Sequence, residues 1–268
     1  MVGGGVAASS PDGLVWTLRA IGVGSWTGVA WSGTTYAAVG SGTIAATSPD
    51  GKVWTSQTIP AGNWKAIAWN GTVFCAVGDG AIAATSPDGI TWTSQTIPAG
   101  NWHGITWNGT VFCAVAFNTN PGAATSPDGI TWTGRPGLSQ GFWSCIAWSG
   151  TIFVVAGADA HSQTSVDGTT WLNDVNHGLS LFAITWTGTL FIAVGQAQLI
   201  TTSPNGTAWT PRYNPGGVNL NGVAWKAPGA DLAIAVGQTN TGATSPTGVT
   251  WTPQALPVGD WAAIVAPP

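Results

Sequence analysis

Seven times along the chain a Ser-(Pro/Val)-(Asp/Asn/Thr)-Gly turn is followed, three residues after its glycine, by a tryptophan. The turns begin at Ser10, Ser48, Ser86, Ser126, Ser165, Ser203 and Ser245, and the tryptophans are Trp16, Trp54, Trp92, Trp132, Trp171, Trp209 and Trp251. Successive turns lie 38, 38, 40, 39, 38 and 42 residues apart. A fixed period of this size marks a solenoid, a propeller or an array. The period is unbroken, which makes residues 1–268 one domain.

One repeat, Trp64 to Ile97, reads as four short apolar stretches rich in β-branched and aromatic residues, each closed by a turn signal. These are four strands, A to D, and no segment keeps a helical period. Asn70-Gly71 and Asn108-Gly109 suit two-residue A–B hairpins with both central residues at positive φ. Between C and D, Ser-Pro-Asp-Gly suits a type I turn whose glycine takes the left-handed position. Four antiparallel strands per ~40 residues, repeated, predict an all-β, seven-bladed β-propeller of four-stranded blades.

The eighteen tryptophans occupy three slots: after the turn, at the end of strand A, or at its start (Trp26, Trp64, Trp102, Trp143, Trp261). Wedging between blades accounts for them. Aligning Trp261 with Trp64, and Ser10 with Ser86, closes the ring in blade 1, where a C-terminal strand A meets N-terminal strands C and D. Strand B of that blade is expected to be missing. A three-stranded blade, a truncated chain and a strand supplied by a partner remain open.

Composition restricts function. Charged residues are 6% of the chain, there is no glutamate, and the net charge is −4. Without a basic stripe, neither nucleic acid nor an anionic membrane surface is an expected partner. No apolar run is long enough for a spanning helix, so no membrane insertion is expected, and the N-terminal residues lack signal-peptide character. Cys75, Cys113 and Cys145 read as small buried hydrophobes rather than a disulfide or zinc set.

The turn with its tryptophan resembles the Asp box of bacterial neuraminidase repeats, most closely where Thr-Trp ends it (Thr91-Trp92, Thr131-Trp132, Thr170-Trp171, Thr250-Trp251). It departs in length, with aspartate and glycine adjacent, and Asn205 and Thr247 replace the aspartate in two copies. The resemblance implies a propeller whose boxes are structural turns, and it does not imply hydrolysis. Near-identical repeats and scant charge resemble the Asp-box propellers of bacteriophage tails and virions. The expected placement is therefore virion-associated or extracellular, with virion or surface proteins and glycans as partners, homo-oligomerisation being compatible with that.

No enzyme is expected. Sialidase chemistry needs converging arginines and a glutamate, whereas Arg19, Arg135 and Arg212 are spread over blades 1, 4 and 6. The densest polar set is in blade 5, with Asp159 and His161 in its B–C loop and Asp174, Asn176 and His177 in the loop leaving strand D. These loops open on the face away from the boxes. No metal-ligand spacing is present, so neither metal nor cofactor is expected. On the same face the D–A loops IPAGNW (59–64 and 97–102) offer Asn63, Trp64, Asn101 and Trp102 for stacking and amide hydrogen bonds to sugars. Leu181 and Leu220 fill the tryptophan slot in two blades, which favours packing instead. Tyr213 is a further candidate, in a repeat-breaking loop with Arg212 to Gly217. The rival readings are a free bacterial lectin and a hydrolase using blade 5.

Overall fold

The computed structural model describes residues 1–139, 141–213, 217–226 and 231–266, and of Tyr213 its backbone only. Hydrogen bonding produces four sheets of four strands and one of eight. The eight-stranded sheet arises because four strands are long. Tyr36–Ser48 and Phe74–Ser86 each run through B and C of one blade, and Thr55–Trp69 and Thr93–Trp107 each run from D of one blade into A of the next. Counting each long strand twice gives seven four-stranded antiparallel blades. Two presumed D–A loops are thus extended chain, with Ser41 opposite Asn63 and Asp79 opposite Asn101.

Each blade buries its faces on its neighbours. Middle strands such as Phe112–Ala116 and Phe153–Gly157 are buried at every position, as strands covered on both sides must be. The core is accordingly divided into seven clusters, one at each contact between adjacent blades. Two of them close the ring: Met1 and Ala8 pack with Ile234, Val236 and Trp261, while Val2 and Ala7 pack with Ile21, Trp26 and Ala38.

Blade 1 corrects the expectation of a missing strand. Val2–Gly3 forms a two-residue strand B, paired with Val6 and Ala7 on one side and with Trp261 and Ala263 on the other. It escapes pattern reading because it is short and ends in glycine. That glycine is required, since a Cβ on Gly3 would lie 2.0 Å from the Asp260 carbonyl oxygen.

The tight A–B turns also differ from expectation. Positive φ falls on the glycine alone (Gly71 +101°, Gly109 +98°), and Asn70 N–H bonds the Val73 carbonyl at 3.2 Å. The turn therefore has Gly71 alone in the left-handed region, and not the two residues at positive φ that a type I′ hairpin turn requires. Asn70 precedes it and caps it, its Oδ1 accepting the N–H groups of Thr72 and Val73 at 2.9 and 2.7 Å.

The C–D boxes form as expected. In the third, Ser86 Oγ accepts the Gly89 N–H at 2.8 Å, and Asp88 Oδ1 accepts those of Ile90 and Thr91 at 2.8 and 3.0 Å. The glycine lies at φ +78°, and its carbonyl receives Trp92 Nε1–H at 2.9 Å. The side chains thereby satisfy backbone donors that a tight turn leaves open. These bonds hold the aspartates ionised. Asp12 is brought down to about 2 by the N–H groups of Val15 and Leu14, and Asp50 and Asp128 are lowered by bonds of the same kind, while Asp167 is lowered first by the Thr169 hydroxyl and then by the Thr170 N–H. A carboxylate depressed in the folded state stabilises the fold above its unfolded pKa of ~3.9, and that contribution is lost as pH falls through the folded value. We expect the melting temperature to fall between about pH 4 and pH 2. Asp128→Ala should cost about 1 kcal/mol at neutral pH. Asp128→Asn should cost less and weaken the acid dependence, because Asn205 already makes both backbone bonds, at 3.1 and 2.9 Å. Thermal melts across pH check all three.

Candidate functional site

The start of strand A is where sugar stacking and packing compete, and the indoles there are enclosed. Trp64 and Trp102 are 1% and 0% exposed, with Nε1 bonded to the carbonyls of Pro60 and Pro98 at 2.9 Å. Trp26, Trp143 and Trp261 bond a carbonyl four residues back in the same way. Leu181 and Leu220, equally buried, take the slot without needing an acceptor. These rings are wedges between blades, and Trp64 and Trp102 expose almost no surface for a ligand to stack on.

The residue after each wedge lines the central channel, giving a ring of Thr27, Lys65, His103, Ser144, Phe182, Asn221 and Ala262. Two of these, Lys65 and His103, converge on Asp79 from the B–C turn of blade 3. Lys65 Nζ lies 3.4 Å from Asp79 Oδ2, and His103 Nε2 lies 3.4 Å from Oδ1. Asn63 Nδ2 donates to Oδ2 at 2.5 Å and its own Oδ1 accepts from Ser41. Asn101, exposed, anchors the next turn through its carbonyl, which accepts the Phe117 N–H at 2.7 Å. Burial, with the Lys65 charge adding to it, lowers the His103 pKa against the opposing pull of Asp79.

From His103 an aromatic line runs outward. Its ring stacks on Phe117 at 4.9 Å, and Phe117 meets Phe142 at 4.8 Å. Phe142 is 39% exposed, and its N–H donates to Asp159 Oδ2 at 3.3 Å. Blades 3, 4 and 5 thus share one continuous ridge on the face opposite the boxes. No motif or spacing in the sequence singles out Lys65, Asp79, His103 or Phe117. The available signal was that the wedge-plus-one position lines the channel in every blade.

Blade 5 brings together most of its polar set, on strands more than on loops. His161 opens the strand His161–Ser165, and Asp174 and Asn176 lie in the strand Leu172–Asn176. His161 Nδ1 is 2.7 Å from Asp174 Oδ1, and Asn176 Nδ2 is 3.1 Å from His161 Nε2. A bulge makes this pairing. Asn173 sits at φ +60° as an extra residue, so Ser162 faces Val175 while Thr164 still faces Leu172. Asn173 then takes the strand-C threonine that Gln57, Gln95, Arg135, Arg212 and Gln254 bond in other blades, leaving Asp174 to His161. Bulges re-aim side chains in this manner next to sites.

Asp159, His161 and Asp174 line a pocket of about 150 Å³ together with Ser139, Trp143 and Gln163. Asp159 Oδ1 is buried there without a hydrogen-bond partner. His177 stands apart from the pocket, bonded to Ser162 Oγ at 2.9 Å and edge-on to Trp209. Tyr213 closes the strand Thr210–Tyr213, paired with Ile200, and its side chain lies outside the described residues, as do residues 214–216 and 227–230 of the irregular loops. Among the described residues no group of three or more His, Cys, Asp or Glu is placed to hold a metal ion. The three cysteines are free and buried, with their thiol pKa values pushed up by burial.

No protein-family model matches the chain, and no curated protein sequence matches it. Solved structures do. The WD40 β-propeller domain of Doa1 superposes with a TM-score of 0.71 at 12% identity, covering 90% of this chain and 86% of that one. The β-propeller domain of Cps50 (Swd1) from Myceliophteria thermophila gives 0.69 at 13%, covering 92% and 90%. A structure of YCF48 bound to D1 peptide gives 0.68 at 16%, covering 86% and 82%. At these identities the likeness establishes the propeller fold.

His177 provides a check on the site's electrostatics. Burial first, then the His161 charge, lowers its pKa to about 4. A histidine depressed in the folded state is protonated first in the unfolded chain, so stability falls as pH drops from about 6.5 to 4. NMR titration should show a His177 midpoint near 4, and His177→Ala should flatten the stability change across that window.

Proposed function

We propose that the chain is a non-enzymatic binding propeller that engages its ligand with the ridge on blades 3 to 5, and that the ligand is a host-surface glycan contacted from a virion or tail. The observation that carries this reading is the continuity of the ridge. Lys65, Asp79 and His103 at the channel mouth lead through Phe117 and Phe142 to the pocket of Asp159, His161 and Asp174. An exposed phenyl edge beside carboxylate, amide and imidazole groups suits a sugar, whose C–H face stacks while its hydroxyls are bonded. Asp159 and Asp174 place carboxylates on the pocket wall, where such hydroxyls can be bonded. The ridge offers exposed aromatic surface where the candidates Trp64 and Trp102 are enclosed.

Catalysis is disfavoured by the way the candidate groups are tied down. His161 has both ring nitrogens engaged, and each arginine is bonded by its Nε to a strand-C hydroxyl. The virion placement draws on low charge and near-identical repeats. A protein segment on the same ridge is the second reading, favoured by the similar structure of YCF48, which is bound to D1 peptide.

A glycan array followed by calorimetry tests the proposal. Wild-type protein should bind a defined set of glycans, and Phe142→Ala or Asp159→Ala should weaken binding at least tenfold with the fold retained. Flat arrays would remove the glycan reading. Turnover of any glycan that is abolished by His161→Ala would replace it with hydrolysis.

A further inference from the structure

On the box face, where blades 7, 1 and 2 meet, a cavity of about 240 Å³ is lined by Met1, Trp16, Tyr36, Trp54, Ile234 and Ile264, with Asp50 and Lys226 among its polar groups. Its origin can be read from the other blades. Five residues after each wedge, six blades carry a tryptophan: Trp31, Trp69, Trp107, Trp148, Trp186 and Trp225. In five of them that indole packs on the aromatic residue opening strand B, with ring centroids 4.2–4.8 Å apart. Blade 1 has Ala266 at this position, and Ala266 lines the cavity. The space an indole occupies in its siblings is open here, beside aromatic surfaces that remain in place.

A second observation concerns Trp54. Five box tryptophans give their indole N–H to the carbonyl of their own box glycine. Trp54 Nε1, in a residue on the cavity wall, is buried without any partner, a state shared among the boxes only by Trp171. Tyr36 is the only tyrosine among the residues opening strand B in these pairs. Its hydroxyl pKa is raised by burial and by the Asp50 charge. The wall therefore combines aromatic and aliphatic faces with a phenol and a carboxylate. Apolar cavities of this kind take up aromatic molecules, and this one is below the size of a drug-sized pocket.

We propose that this cavity is a binding site for one planar aromatic ring system bearing a hydrogen-bonding edge, seated where the sibling blades place their own indole. The site is separate from the ridge and does not depend on its ligand. Free aromatic metabolites and a partner's aromatic side chain share this chemistry. The test uses indole for the first and the peptide acetyl-Gly-Trp-Gly-amide for the second. Each is titrated into the full chain while methyl resonances of Met1, Ile234 and Ile264 are followed by NMR. Saturable ring-current shifts at these methyls, with little change at the Phe142 ridge, are expected. Indole binding alone would assign the site to a small molecule, and at least tenfold tighter peptide binding would assign it to a partner side chain. Ala266→Trp should fill the space from within and abolish the shifts, and Tyr36→Phe should weaken binding several-fold while leaving the cavity in place. No shift at millimolar probe, or shifts undiminished in a folded Ala266→Trp protein, would overturn the proposal.

Discussion

A four-stranded blade has two apolar faces and can cover neither alone, and the rest of this molecule follows from that. Its middle strands are buried throughout, so each blade requires a neighbour on both sides, and only a closed ring supplies neighbours to all seven. The wedge side chains at the start of strand A fill the contacts, with an indole N–H bonded to the preceding connection wherever the wedge is tryptophan. The boxes do complementary work at the other end of the blade, where serine and aspartate take up turn N–H groups. Stability is distributed over seven similar interfaces, which leaves the channel face free to diverge.

That division explains where individuality appears. Box-face residues repeat, with Asn205 standing in for aspartate without loss of the backbone bonds. The channel face repeats in backbone but varies in side chain, from Thr27 through Lys65 and His103 to Phe182 and Ala262. Blade 5 adds a bulge that turns Asp174 toward His161. Blade 1 is the other departure, because strand B is two residues long and Ala266 replaces an indole.

The architecture was legible because a fixed period, turn residues and tryptophan spacing are local signals that agree with one another. The closure was legible only in part: aligning Trp261 with Trp64 located strand A of blade 1, but two residues running into a glycine stretch carry no strand pattern. The polar set of blade 5 was found by clustering, yet its geometry depends on one residue of register, which sequence spacing does not reveal. For Trp64 and Trp102 the leucines in the same slot, Leu181 and Leu220, already favoured packing over stacking, and only accessibility decides it. The Lys65–Asp79–His103 group was missed because its members are far apart in sequence and meet only where strands from adjacent blades approach the channel.

Ring closure through blade 1 is the central structural claim, and native-state hydrogen exchange tests it most directly. The amides of Ala8 and Trp261, which belong to strands at opposite ends of the chain, should be protected to within about tenfold of those of Cys113 and Ala114 in blade 4 if unfolding is shared by the ring. Near-unprotected exchange at Ala8 and Trp261, with blade 4 still fully protected, would contradict a closed ring.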